Sequence, residues 1–508
     1  MQPQPKHTTT EPIAHLREDG TAHLLDEHLR DVGELAARFA DAFGASDWAR
    51  LAGLWHDLGK YSAAFQRRIR EENGFEAHVE SLDLDAVIRD HSTAGAALAR
   101  RLPGGLGIPL SFMIAGHHAG LADRAALDER LTKRRALLDD AVRGGATEEL
   151  LTLPSPAALD VHRVRDEAGA RRLELWIRMV FSALCDADFL DTERFYDPAR
   201  SSARIRAVSL AEVRTALDAH VDGLERSALD RSVSEVDRVR AEVRRACVDA
   251  ARQLPGFFSL TVPTGGGKTL ASMSFALAHT EAHGLSRVIV AVPYTAIIEQ
   301  NSDAYRAAFG ALADAAMIEH YSALDPRRET WRNRLASENW DAPVVITTTV
   351  QLFESLFGHR TSRCRKLHNL ARAVIVLDEA QTLPVALLDT VIDGLRALVR
   401  DYGATVVFCT ATQPAFRLED ARAAKPEPWR VAGMREIVAP ELRAFERLKR
   451  VAVRWPSRGL VTPYEELATE LAALSDVMAI VHLRRDARTL TELLDARLGD
   501  ASTPTCRR

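Results

Sequence analysis

The chain has 508 residues, 46% of them hydrophobic and 27% charged, with a formal net charge of -5. At about 100–200 residues per domain this length fits about three domains, and the near-neutral balance excludes a global cationic field as the means of holding nucleic acid. Cys185, Cys247, Cys364, Cys409 and Cys506 show no CxxC spacing, and the amino terminus "MQPQPKHTTTEP" has no apolar core, so reduced thiols, a cytoplasmic location and no membrane contact are expected.

From about Glu27 to Val221 the apolar residues recur at helical spacing, as in Val32, Leu35, Ala36, Phe39, Ala40 and Phe43. This region reads as all-helical, interrupted by the loop "TLPSPAALD". Nine of the 17 histidines lie at or before His118, which directs the search for metal ligands here. His28 stands in "DEHLRDVGELA", His56 beside Asp57 in "LWHDLGKY", His91 in "DHSTAGAALA", and His117 and His118 in "IAGHHAG". Asp188 follows in "FSALCDADFLDTE", with Asp186 as the competing choice. A lone His-Asp pair is ordinarily structural, its imidazole satisfied by a carbonyl or water. Several imidazoles and carboxylates on different helices instead suit one or two transition metals of the Mn, Fe, Co or Ni class. An aspartate can bridge two ions about 4 Å apart, and two-metal phosphodiester hydrolysis is the natural reaction of such a set. His78 reads as a surface residue.

After a charged helical stretch from Ser209 to Arg252, short uninterrupted apolar runs alternate with helical segments: "FFSLTV", "RVIVAVP", "PVVITTT", "AVIVLDEA" and "ATVVFCTAT". Such runs suit strands of a parallel sheet covered on both faces. "TVPTGGGKT" follows the first and opens a helix, so Thr264, Gly265, Gly266 and Gly267 are expected to cradle phosphate. Lys268 would reach the β and γ phosphates of ATP, and Thr269 would bind Mg2+. In "AVIVLDEAQTLP" the strand ends in Asp378, a magnesium ligand through water, and Glu379, which would act on the attacking water. Between Ser355 and Leu377, Arg360, Arg363, Arg365, Lys366 and Arg372 occur without any Asp or Glu, a local patch able to neutralise phosphates or simply a solvated surface. Near Arg450, "RVAVRW", "PYEELATELAAL" and "VMAIVHL" predict the opening of a second α/β domain.

"PTGGGKT", "DEAQ", "VPYTAIIEQN", "ITTTVQLFESL" and "TATQP" together resemble the DEAD/DEAH-box-like superfamily 2 helicases. The resemblance implies nucleic-acid backbone contacts at Pro293, Tyr294, Thr295, Thr348 and Thr349; from the basic segment, Arg363 and Arg365 are candidates by charge alone. It also implies a coupling element at Thr410, Ala411 and Thr412. Each such threonine alone is a weak sign, since threonines after a strand more often cap the next helix.

The order His, His-Asp, His, His-His, Asp resembles HD-type phosphohydrolases. Followed by helicase elements, it is similar to the CRISPR-associated helicase-nucleases of type I interference systems. That resemblance implies a multidomain protein: an all-α HD-type domain over residues 15–225, a RecA-like P-loop lobe over 226–445, and the start of a second RecA-like lobe over 446–508. It implies metal ligands at His56, Asp57, His91, His117, His118 and Asp188, with His28 nearby or additional. Asp57, Lys60 and Glu379 would be the catalytic groups, Lys60 as a phosphate contact. Single-stranded DNA, as a displaced strand, and an RNA-guided surveillance complex would be the partners. About sixty residues follow Leu448 and "ASTPTCRR" matches nothing in the family, so a truncated second lobe with impaired motor activity is expected. The alternatives are an HD hydrolase of small nucleotides regulated by ATP, and an inactive nucleic-acid-binding adaptor.

Overall fold

The computed structural model describes residues 10–71, 90–204, 208–321, 331–412, 416–417, 429–453 and 461–498. His78, Gln413, Pro414, Cys506 and the "ASTPTCRR" ending lie outside them. Met1–Leu448 form one compact unit and Lys449–Arg508 another.

The first unit opens with an antiparallel hairpin, β1 (Ile13–Leu16) and β2 (Ala22–Leu24), a small departure from an all-α domain. The principal helices that follow are α1 (Leu25–Ala40), α2 (Ser46–Trp55), α3 (Ser92–Ala99), α4 (Gly107–Gly116) and α5 (Glu167–Tyr196). Leu25, Leu29, Val32, Ala36 and Ala40 lie on one stripe of α1 and are buried, the outcome expected of apolar residues three and four apart. α1 and α2 meet backbone to backbone at Gly33 and Gly53; a Cβ on Gly53 would lie 2.6 Å from the Gly33 Cα. The long α5 is buried from Met179 to Asp188 and carries Asp186, Asp188 and Asp191.

The next two helices, α6 (Leu210–Arg231) and α7 (Glu235–Ala250), each begin with a serine capping box, Ser209 with Glu212 and Ser234 with Asp237. They precede a seven-stranded sheet of β3 (Phe257–Thr261), β4 (Arg287–Val292), β5 (Met317–His320), β6 (Val344–Thr348), β7 (Ala373–Leu377), β8 (Thr405–Thr410) and β9 (Arg435–Glu436). The order is β5-β6-β4-β7-β8-β3-β9, all neighbours parallel. The five anticipated runs supply five of these strands; β5 and β9 were not anticipated. Further helices are α8 (Lys268–His283), α9 (Thr295–Phe309) and α10 (Thr349–Phe357).

The two faces of the sheet belong to different cores. Val288, Val290 and Val292 of β4 pack with α6, α7, α8 and α9, whereas Ile289 and Ala291 join the buried cluster that contains the helical domain. α6, which a boundary at residues 225 and 226 divides, packs on α8 and α9 through Val213, Leu217 and Val221. On that second face α10 and the helix Leu388–Tyr402 of the same lobe lie against β4, β6 and β8, and the helical domain packs outside them, so the sheet is covered on both sides as a parallel sheet requires.

In the second unit the described residues form two helices, α11 (Tyr464–Ala472) and α12 (Arg484–Leu498). The expected strands at "RVAVRW" and "VMAIVHL" do not form among the described residues. Val451, Val453, Met478 and Ile480 are instead exposed, Ile480 at 84%. Strand hydrogen bonds come only from neighbouring strands, and none stands beside these runs among the described residues.

Candidate metal centre and nucleotide site

The histidines converge because four elements end at one point. His56 caps the carboxyl end of α2, and the chain turns at once through Asp57 into the short helix Leu58–Tyr61. His91 caps the start of α3, His117 closes α4, His28 projects from the first turns of α1, and Asp188 lies mid-way along α5. Gly59 allows the closest approach: its N–H donates to the His91 carbonyl at 2.9 Å, and a Cβ there would lie 2.3 Å from that oxygen.

Asp57 is the hub. Its Oδ1 is 3.3 Å from His91 Nε2 and 3.2 Å from His117 Nε2; its Oδ2 is 3.5 Å from His28 Nε2 and 3.4 Å from His56 Nε2. Asp188 Oδ1 lies 3.6 Å from both His28 Nε2 and His56 Nε2. His118 joins Asp57, His91 and His117 in a set whose ligand atoms lie within 4.8 Å of one another. The other ring nitrogen of three histidines is fixed by an acceptor: His56 Nδ1 donates to Gly53 O, His117 Nδ1 to Ile114 O and His28 Nδ1 to Asp191 Oδ2, each at 2.7 Å. A carbonyl only accepts, so in His56 and His117 the proton sits on Nδ1 and the Nε2 lone pair aims inward.

The chemistry of this set fits divalent transition metals. His56 and His117 Nε2, Asp57 Oδ1 and Asp188 Oδ2 are buried and lack hydrogen-bond partners, a costly arrangement for polar atoms unless an ion takes them up. Ligands each about 2.1 Å from one ion stand about 3.0–3.4 Å apart, close to the spacings around Asp57. The two oxygens of Asp57 face two different pairs of imidazoles, the arrangement of a bridging carboxylate. Burial opposes ionisation of Asp57, yet His56 and Lys60 hold its carboxyl well below the usual range; Asp188 is likewise held low against burial, by His56. Burial pushes His91 down to about 3, so it is neutral and able to ligate. His28 goes the other way: burial disfavours its charge, but Asp191 and Asp57 raise it to about 9.

Lys60, expected on a phosphate, is buried with its Nζ 2.6 Å from Asp57 Oδ2. Of the two competing aspartates, Asp188 faces the imidazoles, while Asp186 turns away to Arg365 and Asn339. Sequence reasoning missed Asp191, one turn beyond Asp188 on the same helix face; that i, i+3 spacing was its available signal. It also missed His15 and His23 of the hairpin, which form a buried group with His28.

The second site lies along the carboxyl edge of the sheet, where open α/β sheets hold ligands. Gly265 and Gly267 have φ of 87° and 83°, and a Cβ on Gly266 would lie 2.5 Å from Val262 Cγ1, so the turn demands glycines. Lys268 Nζ is 2.7 Å from Glu379 Oε1 and 3.3 Å from Asp378 Oδ1. Burial lowers the lysine's affinity for its proton, but the two carboxylates raise it above the usual value. Thr269 Oγ1 donates to Asn301 Oδ1 at 3.5 Å, and Asn301 Nδ2 donates to Asp378 Oδ2 at 3.3 Å. Glu379 is held at φ 47°, a conformation that L-residues adopt only at a cost and that clusters at functional sites. Gln381 Nε2 donates to Glu379 Oε2 at 2.6 Å, and Thr410 Oγ1 donates to Gln381 Oε1 at 2.7 Å. A polar chain thus runs from the expected coupling element to the P-loop lysine; Ala411 and Thr412 continue from it, the Thr412 N–H donating to Thr410 Oγ1 at 3.0 Å. The cavity between Thr264, Gly265, Lys268, Thr269, Asp378 and Glu379 and the helices α6 and α7 has a volume of about 580 Å³.

Pro293, Tyr294 and Thr295 lie at the same edge after β4, with Tyr294 and Thr295 exposed. Thr348 caps α10 by accepting the Gln351 N–H at 3.1 Å, and Thr349 is half-buried beside it. The basic segment is divided, with Arg360 and Arg372 exposed and its middle turned inward. Arg365 and Lys366 are buried, Arg363 is 3.0 Å from Glu354, and Arg372 donates to Gly284 O at 2.9 Å. Arg365 is therefore corrected from a nucleic-acid contact to a buried ion-pair partner of Asp186, which its sequence neighbours alone could not reveal.

Residues 25–142 match the HD domain family and residues 244–421 the DEAD/DEAH box helicase family. The chain is 27% identical over 478 residues to the CRISPR-associated nuclease/helicase Cas3 of Haloferax volcanii, an alignment covering 80% of this chain and 50% of that protein. Among solved structures, that of a CRISPR-associated protein covers 94% of this chain and 61% of its own at 17% identity and a TM-score of 0.54, a likeness of fold. T. fusca Cas3 with ATP covers 80% and 50% at 18% identity and a TM-score of 0.49. The chain spans about half the length of the curated relative it matches. No helix among the described residues is long and apolar enough to cross a membrane.

Proposed function

We propose, from the premise that this chain joins an HD domain to a DEAD/DEAH box helicase domain and matches the CRISPR-associated helicase-nucleases, that it is a hydrolase that cuts single-stranded DNA at the HD centre. In this reading it acts in CRISPR defence on a strand displaced by an RNA-guided surveillance complex, with an ATP-dependent helicase lobe feeding the strand. The observation that carries the reading is Asp57, whose two buried oxygens each face two imidazoles.

His28, His56, His91, His117, His118 and Asp188 would hold one or two divalent transition metals, with Asp57 between them. Bound there, the metal supplies a nucleophile at neutral pH and neutralises charge on the phosphate. The chain's own residues do the rest. Gly53, Ile114 and Asp191 fix the ring tautomers, and Lys60 keeps the hub carboxylate ionised. In the α/β lobe, the phosphates of ATP with Mg2+ would take Lys268 from Glu379, leaving that carboxylate to orient water. Pro293, Tyr294, Thr295, Thr348 and Thr349 are proposed to follow the DNA backbone without reading bases, and Thr410, Ala411 and Thr412 to link them to the nucleotide.

The test is incubation of the purified chain with circular single-stranded DNA and Mn2+, Ni2+ or chelator, beside Asp57→Ala. Cutting that needs metal and disappears in the variant supports the nuclease. DNA binding without cutting under either metal would leave only an adaptor, and cleavage of mononucleotides but not DNA would favour the small-nucleotide hydrolase.

A further inference from the structure

The segment after α10, from Gly358 to Leu370, belongs to the α/β lobe yet spends its polar groups on the helical domain. It grips two elements that carry candidate metal ligands. At the first, Thr361 Oγ1 lies 3.2 Å from His117 O and 3.3 Å from His118 O, donating its single proton between them. Leu121 N donates to His359 O at 2.9 Å, and a Cβ on Gly120, whose φ is 89°, would lie 2.7 Å from that same oxygen. The second element is α5. Arg365 Nε and Nη2 donate to Asp186 Oδ1 at 3.1 and 2.9 Å, and Asn339 Nδ2 donates to Asp186 Oδ2 at 2.9 Å. The Arg365 guanidinium also lies over the Phe189 ring, 4.3 Å from its centroid. His368 N donates to Ser182 Oγ at 3.0 Å. Thr361, Arg365, His368 and Asp186 are all buried.

These contacts bracket the centre. His117 and His118 sit on one side, their backbone carbonyls tied to Thr361. Asp188 sits on the other, two residues from the carboxylate that Arg365 holds. Both ties leave from one short stretch, since Thr361 and Arg365 stand at the two ends of a single helical turn, Thr361–Cys364 and its cap. That turn fixes the spacing of the two ligand-bearing elements much as an outer partner fixes a single ligand. It also gives charged residues without nearby acids in the sequence a reason to be buried, because their acid is supplied by another domain.

We infer that Thr361 and Arg365 are positioning residues of the HD centre, holding the His117–His118 turn and α5 at the separation at which their ligands share metal. The inference rests on the metal reading above. It makes the geometry of the histidine site depend on the α/β lobe.

The full chain is titrated with Co2+ alone, following its visible absorption, for the wild type, Thr361→Val, Thr361→Ser and Arg365→Lys. Binding of a fluorescent ATP analogue is measured on each as the control for folding. Thr361→Val is expected to lower Co2+ affinity about 10–100-fold, the range for lost outer partners, and to change the band shape, with ATP-analogue binding retained. Thr361→Ser should restore both, and Arg365→Lys, which keeps the charge but loses the fork, should shift the spectrum. Identical Co2+ affinity and spectra in wild type and Thr361→Val overturn the inference while leaving the metal centre intact. A wild type that binds the ATP analogue but shows no Co2+ spectrum overturns the metal reading and this inference together.

Discussion

The two candidate sites meet the same problem, charged groups held out of water, in opposite ways. Around Asp57 the ligand atoms are buried and aimed at a common point, and most have no partner there. At the P-loop the charges satisfy one another: Lys268 pairs with Glu379 and Asp378, and Glu379 in turn with Gln381. A centre of the first kind is preorganised for a guest that stays. One of the second kind must exchange internal bonds for its guest's, which suits a nucleotide that arrives and leaves.

The largest effect that would break this contrast is at the hub. Asp57→Ala should remove metal binding by more than the about 10–100-fold that loss of an outer partner costs, as read by calorimetry with Mn2+, while ATP-analogue affinity stays unchanged. Lys268→Ala is the mirror experiment. It should weaken the nucleotide about 10–100-fold, from about 1.5–3 kcal/mol per charge-assisted contact, and leave Mn2+ affinity alone. If either variant disturbs the other site, the two are not independent.

Asp191→Asn sharpens the contrast within the histidine centre. It keeps the size of the side chain but lets the His28 ring choose its tautomer, and metal affinity should fall about tenfold or more. The smallest effect is on stability. Burial, with Arg365 and Arg363 nearby, lowers Lys366 to about 8, so from there to its ordinary value the unfolded chain binds more protons than the folded one. Stability should therefore rise with pH, by about 1 kcal/mol between pH 7.5 and 9, in denaturant melts. Lys366→Met should lose that slope and be more stable at pH 7.

The sheet was legible where one physical signal dominated. β3, β4, β6, β7 and β8 are apolar runs buried on both faces, and they read as such. β5 escaped because Glu319 interrupts "MIEH"; its carboxylate is buried but paired with Arg306, 2.9 Å away. "VMAIVHL" has the composition of a strand yet is exposed, because composition carries no information about whether a neighbour is present. The ligand histidines could be marked by type and order, but the close approach at Gly59 could not, because it is made to His91, far along the chain. Asp186 and Arg365 could not, since the pair joins residues separated by 179 positions, and a run of basic residues reads the same whether it faces phosphate or a buried acid.

The contact at Gly59 bears on how the centre tolerates change elsewhere. Its N–H and missing side chain bring the Asp57 turn directly onto the backbone of His91, so the distance between these ligands is measured across space and not along the intervening chain. A single methyl group at position 59 should therefore disturb the centre, although it removes no ligand and adds no charge.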